Sequence, residues 1–332
     1  MYSRPQRIRR RLLQALPAVA LGTLSQTLSA QSYPNKTIRF LVGFPAGSTT
    51  DAVARVLAEQ VRNKLGQPTI VENRAGANGV LGVSEAARAP ADGYTVLVTN
   101  SSSITLNHQV YKKISYLPER DFTALTMATS ASFVLTVNPG NERIAGVNTL
   151  ADMISLAKAK PGQLTYGTAG VGNLAHLGFE ILNNRFGIKT NHVPYKSSNL
   201  AQLGMLAKEI DLQLDTPTAL PHLKAGKLRA LAVTGAKRWL DLPEVPTIAE
   251  LGFPNLEITY WLGALVPAQT PPAIIQTLYE AIRAVRDDPN AMKQLQIQGN
   301  VELLGPQDFS ARIRTETAAW GQVIRREKIE LD

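Results

Sequence analysis

Residues 38–61 read IRFLVGFPAGSTTDAVARVLAEQV, and this stretch decides the fold class. A continuous apolar run rich in β-branched residues, Ile38 to Val42, predicts a strand buried on both faces, as in a parallel sheet. Two glycines, a proline and small polar residues then turn the chain. From Asp51 onward Val53, Val56, Leu57 and Val61 fall on one face while Arg55, Glu59 and Arg62 fall on another, which predicts a helix packed on that sheet. Ser48 or Thr49 is placed to cap this helix, with Asp51 in its first turn as in a capping box. The N–H groups of Ala46, Gly47 and Ser48, beside the positive helix end, are expected to face a small anion such as a carboxylate; the alternative is a tight turn without a ligand. The loop begins like a phosphate loop but has no lysine after its second glycine, and GxGxxG is absent, which argues against a nucleotide.

The same alternation continues along the chain. PTIVEN, a Gly-rich turn, VLGVSEAARA and TVLVTN follow, and a second set begins at FVLTVNP. It proceeds through LADMISLAKAKPG, LTYGTAG, LAHLGFEILNNRFG, HVPY, AQLGMLA, IDLQLDT, ALPHLKAG and LRALAVTG. A late strand, ITYWLGALVP, leads to helices expected around Ile274 to Val285 and Phe309 to Arg326. Short strands alternating with helical patterns predict α/β construction in two lobes. The chain is expected to cross between them near FVLTV and ITYWLGALV, its last helices returning to the first lobe. Residues 33–133 and 257–332 then form lobe 1, and residues 134–256 form lobe 2.

The first thirty residues carry five arginines, no acid, an apolar run from Leu12 to about Leu24 and a small-residue exit at Ala30. This reads as a secretory signal peptide over residues 1–30, with cleavage near Ala30. Arg9-Arg10-Arg11-Leu12-Leu13 loosely suggests twin-arginine export, against an ordinary signal with a generous basic region. Of the 35 basic side chains thirty remain after cleavage against 26 acidic ones, about +4, so nucleic acid is a poor partner. There is no cysteine, which excludes disulfides, thiolate metal sites and cysteine nucleophiles.

A second loop repeats the design of the first. YGTAGVGNLAHLGFEIL, Tyr166 to Leu182, ends a strand, turns through Thr168, Ala169, Gly170 and Gly172, and starts a helix at the cap Asn173. His176 and Glu180 lie one helical turn apart; two ligands without a third favour a structural histidine over a metal site. Two helix ends at the carboxyl ends of parallel strands predict a ligand in the crevice between them, with an acid group at each end. Tyr195 with Lys196 ends one strand and Asp215 with Thr216 the next. Lys196 reads as an anchor or a solvated lysine, and Asp215 as a partner for an amine or hydroxyl or as a turn cap. Ser101, Ser102 and Ser103 follow TVLVTN, as hydroxyls for the same ligand or as plain loop. GxSxG is absent, and no spacing among His108, His176, His192 and His222 asks for a catalytic triad. No cofactor and no catalytic residue is expected.

From Tyr33 onward the chain resembles the Bug-type periplasmic receptors, the substrate-binding proteins of tripartite tricarboxylate transporters. The matching segments include YPNKTIRFLVGFPAGSTTDAVAR, VENRAGANGVLG, ADGYTVLVTN, YGTAGVGNLAHLGFE, VPYK, LRALAVTGAKR, LPEVPTIAELGFP and WLGALVPAQTPPAII. The resemblance implies a two-lobed type II periplasmic-binding-protein fold with a double crossover hinge, closing on a small carboxylated metabolite. It implies ligand contacts at Phe44, Ala46, Gly47 and Ser48, and at Thr168, Ala169, Gly170 and Asn173 with His176 behind them. Asp51, Ser101, Ser102, Tyr195 and Asp215 complete the candidate set. The implied partners are separate membrane transporter subunits for a monomeric receptor in the periplasm. Other readings are a sensor for a membrane kinase and a hydrolase or isomerase using His176. The chain departs from the family at Ser48, Ser197, Leu200 and Lys208-Glu209, where Gly, Gly, Pro and Gly-Gln are usual.

Overall fold

A computed structural model describes residues 33–327. The leader assigned to residues 1–30 lies outside them. Eleven strands are described: β1 (Ile38–Val42), β2 (Thr69–Asn73), β3 (Thr95–Asn100), β4 (Phe122–Ser132), β5 (Val134–Val137), β6 (Thr165–Thr168), β7 (Asn191–Pro194), β8 (Leu212–Asp215), β9 (Arg229–Val233), β10 (Thr259–Pro267) and β11 (Asn300–Leu304). They form two sheets, ordered β11-β4-β10-β3-β1-β2 and β7-β6-β8-β5-β9. Each has a parallel half, β2-β1-β3 in one and β7-β6-β8 in the other, and an antiparallel half built around the crossing strands.

β1 lies between β2 and β3, every residue except Arg39 being buried, as its unbroken apolar run predicts. The helix Thr49–Leu65 follows directly, capped by Ser48 and closed by Gly66 in the left-handed conformation (φ 67°). It buries Val53, Val56, Leu57 and Val61 and turns Arg55 and Glu59 to solvent. Such one-sided burial, at roughly 25 cal/mol per Å², holds the helix to the sheet.

Only Phe133 separates β4 from β5, so the chain passes from one sheet to the other without a loop. It returns between Val233 and Thr259. The Phe133 and Tyr260 rings meet across these two connections, their centroids 4.8 Å apart and their planes tilted by 31°.

Two departures from the sequence reading concern strands. β4 and β11 add an antiparallel pair to the first sheet that periodicity did not show. β4 reads FTALTMATSAS, with little aliphatic bulk, yet it lies between β10 and β11 and is buried along most of its length. The late helices start earlier than expected, at Pro272–Arg283 and Pro306–Arg326, because proline is favourable in the first helical turn.

Candidate ligand-binding site

Three helix starts meet between the sheets. The first belongs to Thr49–Leu65. Ser48 Oγ accepts the Asp51 N–H at 3.2 Å, and the Ser48 carbonyl accepts the Ala52 N–H at 2.9 Å. Among the described hydrogen bonds none engages the N–H of Thr49 or Thr50, which are two of the four donors that every helix start leaves without an internal partner.

The expected free donors one turn earlier are otherwise occupied. The Gly47 N–H donates to Asp51 Oδ2 at 2.9 Å and the Ser48 N–H to the Pro45 carbonyl at 3.2 Å. Asp51 therefore stands behind the loop, buried, where it also accepts Arg55 Nε and Nη2 and Asn73 Nδ2. Burial pushes its pKa up, but the bonds from Arg55, Asn73 and Gly47 outweigh this and hold it below the usual carboxylate range. Ala46 and Gly47 are exposed and do not line the cavity.

The second start belongs to Leu174–Phe186. Asn173 Oδ1 caps the Ala175 N–H at 3.0 Å, while the Leu174 N–H donates to Ser102 Oγ, across the cleft, at 2.9 Å. Gly170 (φ 124°) and Gly172 (φ 72°) make the turn. Behind it, Thr168 Oγ1 bonds His192 Nε2 at 2.6 Å, and the Gly172 N–H donates to His176 Nδ1 at 3.2 Å. The two imidazoles stack at 3.9 Å. Burial lowers both pKa values, to about 4 for His176 and, with the neighbouring ring adding to it, about 3 for His192. His176 is thus a neutral acceptor that braces the loop.

The third start, Ser198–Leu206, belongs to the helix read as AQLGMLA and begins three residues earlier than expected. Ser197 caps it, accepting the Leu200 N–H at 3.3 Å. Asn199 reaches across the cleft: its Nδ2 donates to the Gly47 carbonyl at 3.0 Å, and its Oδ1 accepts Thr49 Oγ1 at 3.2 Å. With Ser102 to Leu174, Asn173 Nδ2 to Asn78 Oδ1 at 3.3 Å, and the Tyr111 hydroxyl to the Val171 carbonyl at 2.6 Å, these bonds close the cleft. Each neutral bond contributes about 1 kcal/mol. Asn199→Ala is accordingly expected to shift the protein toward an open form. Small-angle scattering checks this as a larger radius of gyration than that of the parent protein.

The cavity between them measures about 40 Å³. Its wall takes Phe44, Ser48, Thr49 and Thr50 from the first loop and helix, Asn100, Ser101 and Ser102 from the end of β3, and Ala169, Asn173 and Leu174 from the second loop. Ser197, Ser198, Thr216, Phe133, Tyr260 and Leu262 complete it. None of these side chains carries a full charge.

Of the candidates from sequence, Phe44, Ser48, Ser101, Ser102, Ala169 and Asn173 come together on this wall. Thr168, Gly170 and His176 sit in the layer behind it. The Tyr195 hydroxyl turns to Glu209 Oε2 at 3.1 Å and lies over Gly204, a glycine whose place a larger residue would contest. Asp215 is fully buried beside the wall. The signal for Thr49 and Thr50 was available in their position just inside the cap, and for Ser197 in a serine preceding an apolar helix. Phe133 and Tyr260 carried none, since the chain brings them together only at the crossings.

Two sheets flanked by helices, joined by two crossings with a small uncharged cavity between them, have the architecture of a solute-binding receptor. Residues 53–329 match the model of the tripartite tricarboxylate transporter family receptors, and the chain belongs to that family. It is 33% identical over 310 residues to the protein BugT of Bordetella pertussis, covering 92% of this chain and 94% of that one. A Rhodopseudomonas palustris structure with adipate shares 32% identity and superposes with a TM-score of 0.83, covering 90% of this chain and 99% of the other. MatC from Rhodopseudomonas palustris, with bound malate, shares 26% identity at a TM-score of 0.82, covering 88% and 100%.

Proposed function

We propose that this chain captures a small organic acid between two lobes, residues 33–133 with 257–332 and residues 134–256, and delivers it unchanged to membrane transporter subunits. The observation that carries this reading is the pair of unclaimed N–H groups, Thr49 and Thr50, on a cavity wall without charged side chains. A helix start of this kind favours a carboxylate through its aligned donors and its dipole. The adipate and malate in the solved relatives support the same ligand class.

In this reading Phe44, Ser48, Ser101, Ser102, Ala169 and Asn173 touch the ligand. Ala46, Gly47, Asp51, Thr168, Gly170 and His176 shape the loops that present them. No chemical step is assigned, because His176 Nδ1 is committed to the Gly172 N–H and has no free lone pair for a substrate proton. The basic, apolar and small-residue sequence of the first thirty residues supports export to the periplasm, where the receptor acts as a monomer.

Calorimetry across mono-, di- and tricarboxylates and amino acids tests the proposal. At least one acid is expected to bind with a dissociation constant in the micromolar range or below, about −8 kcal/mol, and to return unchanged by mass spectrometry. Silence from the whole panel, or conversion of the bound acid, overturns it.

A further inference from the structure

The helix Ser198–Leu206 turns different residues to different tasks. Ser197 and Ser198 at its start line the cavity, and Asn199 bonds Gly47 and Thr49 across the cleft. Ala201, Gln202, Gly204 and Met205 pack inward. Leu200 and Leu203, neighbours one turn apart, point outward and are 39% and 59% exposed. A single exposed leucine is ordinary, but two on one short helix face leave that face without a partner.

Cations frame this face. Lys196 stands just before the helix and Lys208 just after it, and both are exposed. Past Lys208 the surface drops into an open basin of about 460 Å³ lined by Asn138, Pro139, Gly140, Leu206, Gly226 and Lys227. Lys208 Nζ reaches over it, 3.7 Å from the point where a side chain on Gly140 would begin. Lys208 takes the left-handed conformation (φ 64°) at a helix end where glycine is usual, and its carbonyl accepts Arg143 Nη2 at 3.1 Å. The backbone is thereby held while the ammonium stays free. Lys196, Lys208 and Lys227 have no ion-pair partner among the described residues, and the exposed acid Glu209 is engaged by the Tyr195 hydroxyl.

Composition decides what fits such a face. Protein–protein contacts favour aromatic residues, methionine and arginine and are poor in lysine. Leucines framed by unpaired lysines match instead the pattern of a helix lying on an anionic bilayer, with apolar tips in the acyl boundary and ammonium groups at the phosphates. We propose that this face seats on an anionic phospholipid surface, Leu200 and Leu203 entering its acyl boundary and Lys208 and Lys227 holding a headgroup phosphate at the basin. Asn199 directly precedes Leu200, so lipid contact sets the cleft edge that Asn199 bridges beside the membrane. The contact concerns the outer surface and is independent of which acid the cavity takes.

Vesicle flotation of the chain from Gln31 onward tests this, because the basic leader would bind lipid by itself. Phosphatidylcholine vesicles with about 30% phosphatidylglycerol are expected to take up about tenfold more protein than pure phosphatidylcholine at about 50 mM salt, and about twofold or less at about 500 mM. Leu203→Asp, and separately Lys208→Glu with Lys227→Glu, are expected to lower the anionic uptake about fivefold or more. Ile297→Asp, at a site 52% exposed outside this helix, is expected to leave it within about twofold. All four side chains are exposed, so the variants are expected to fold as the parent does. Inorganic phosphate and glycerol phosphate serve as competitors, and neither is expected to release the protein beyond sodium chloride of equal ionic strength. Release by either makes the basin a soluble phosphate site and overturns the lipid assignment. Equal uptake by both vesicle types, or none by either, overturns it in favour of a protein partner. Anionic uptake that survives in both helix variants, or that falls as far in Ile297→Asp, removes the assignment to this helix.

Discussion

Asp51→Ala is expected to lower the unfolding free energy by about 3 kcal/mol and to abolish ligand binding with it. Asp51 is 2% exposed, and its carboxylate is the common acceptor for the Gly47 N–H, two Arg55 nitrogens and Asn73 Nδ2. Arg55 is half in solvent and regains water cheaply, so the loss falls mainly on Gly47, Asn73 and the space the carboxylate filled. Asn73 Nδ2 also donates to the Phe44 carbonyl at 2.9 Å, which makes Asp51 and Asn73 together the brace that sets the first loop. Without it the Thr49 and Thr50 N–H groups lose their fixed aim. Because the folded pKa of Asp51 is depressed, its stabilisation is present above the unfolded carboxylate pKa and is lost as the pH falls through the folded value. Urea unfolding at pH 7 gives the measurement. A loss below about 0.5 kcal/mol, the scale of an ordinary surface substitution, defeats the argument.

That role for Asp51 shows what the sequence could and could not convey. The strand, turn and helix around it were legible because an unbroken apolar run, a Ser cap and a one-sided helix each have a local cause. Which N–H groups stayed free was not local. It depends on Asp51 folding back onto Gly47, and on Asn73 from β2 arriving beside it. The second loop was read correctly as a bracket of glycines and a cap, but its Leu174 donor is met by Ser102 from the opposite side of the cleft. β4 was invisible for a related reason: its small Thr, Ala and Ser side chains are buried by β10 and β11, strands far along the chain that begin at Thr259 and Asn300. Propensity cannot register such neighbours.

The stacked histidines give the second large effect, a loss of about 3 kcal/mol of stability between pH 6.5 and 4. Both rings are neutral in the folded protein, with pKa values lowered to about 4 and about 3 chiefly by burial, whereas in the unfolded chain they take up protons near 6.5. In this window the unfolded state binds more protons, so stability rises with pH and is lost on acidification. Each full unit is worth about 1.4 kcal/mol, and the figure is held well below the sum of the shifts because His192 is partly exposed. Asp215 works in the opposite sense: its pKa is raised to about 7, so the folded state holds the extra proton there and stability falls as pH rises through that range. One opposing group against two leaves the histidines dominant. Glu180 Oε1, 3.8 Å from His176 Nε2 and already accepting the Tyr166 hydroxyl, is the one carboxylate in ion-pair range of the stack among the described residues. Protonation would take the acceptor from Gly172 and set like charges 3.9 Å apart, loosening the loop that carries Ala169 and Asn173. Exchanging His176→Asn and His192→Gln places an amide oxygen near each ring nitrogen in use while removing the titration. Urea unfolding of the double variant is expected to show a pH 6.5 to 4 difference about 3 kcal/mol smaller than that of the parent. Equal slopes in the two proteins would mean that the stack is not what acid disrupts.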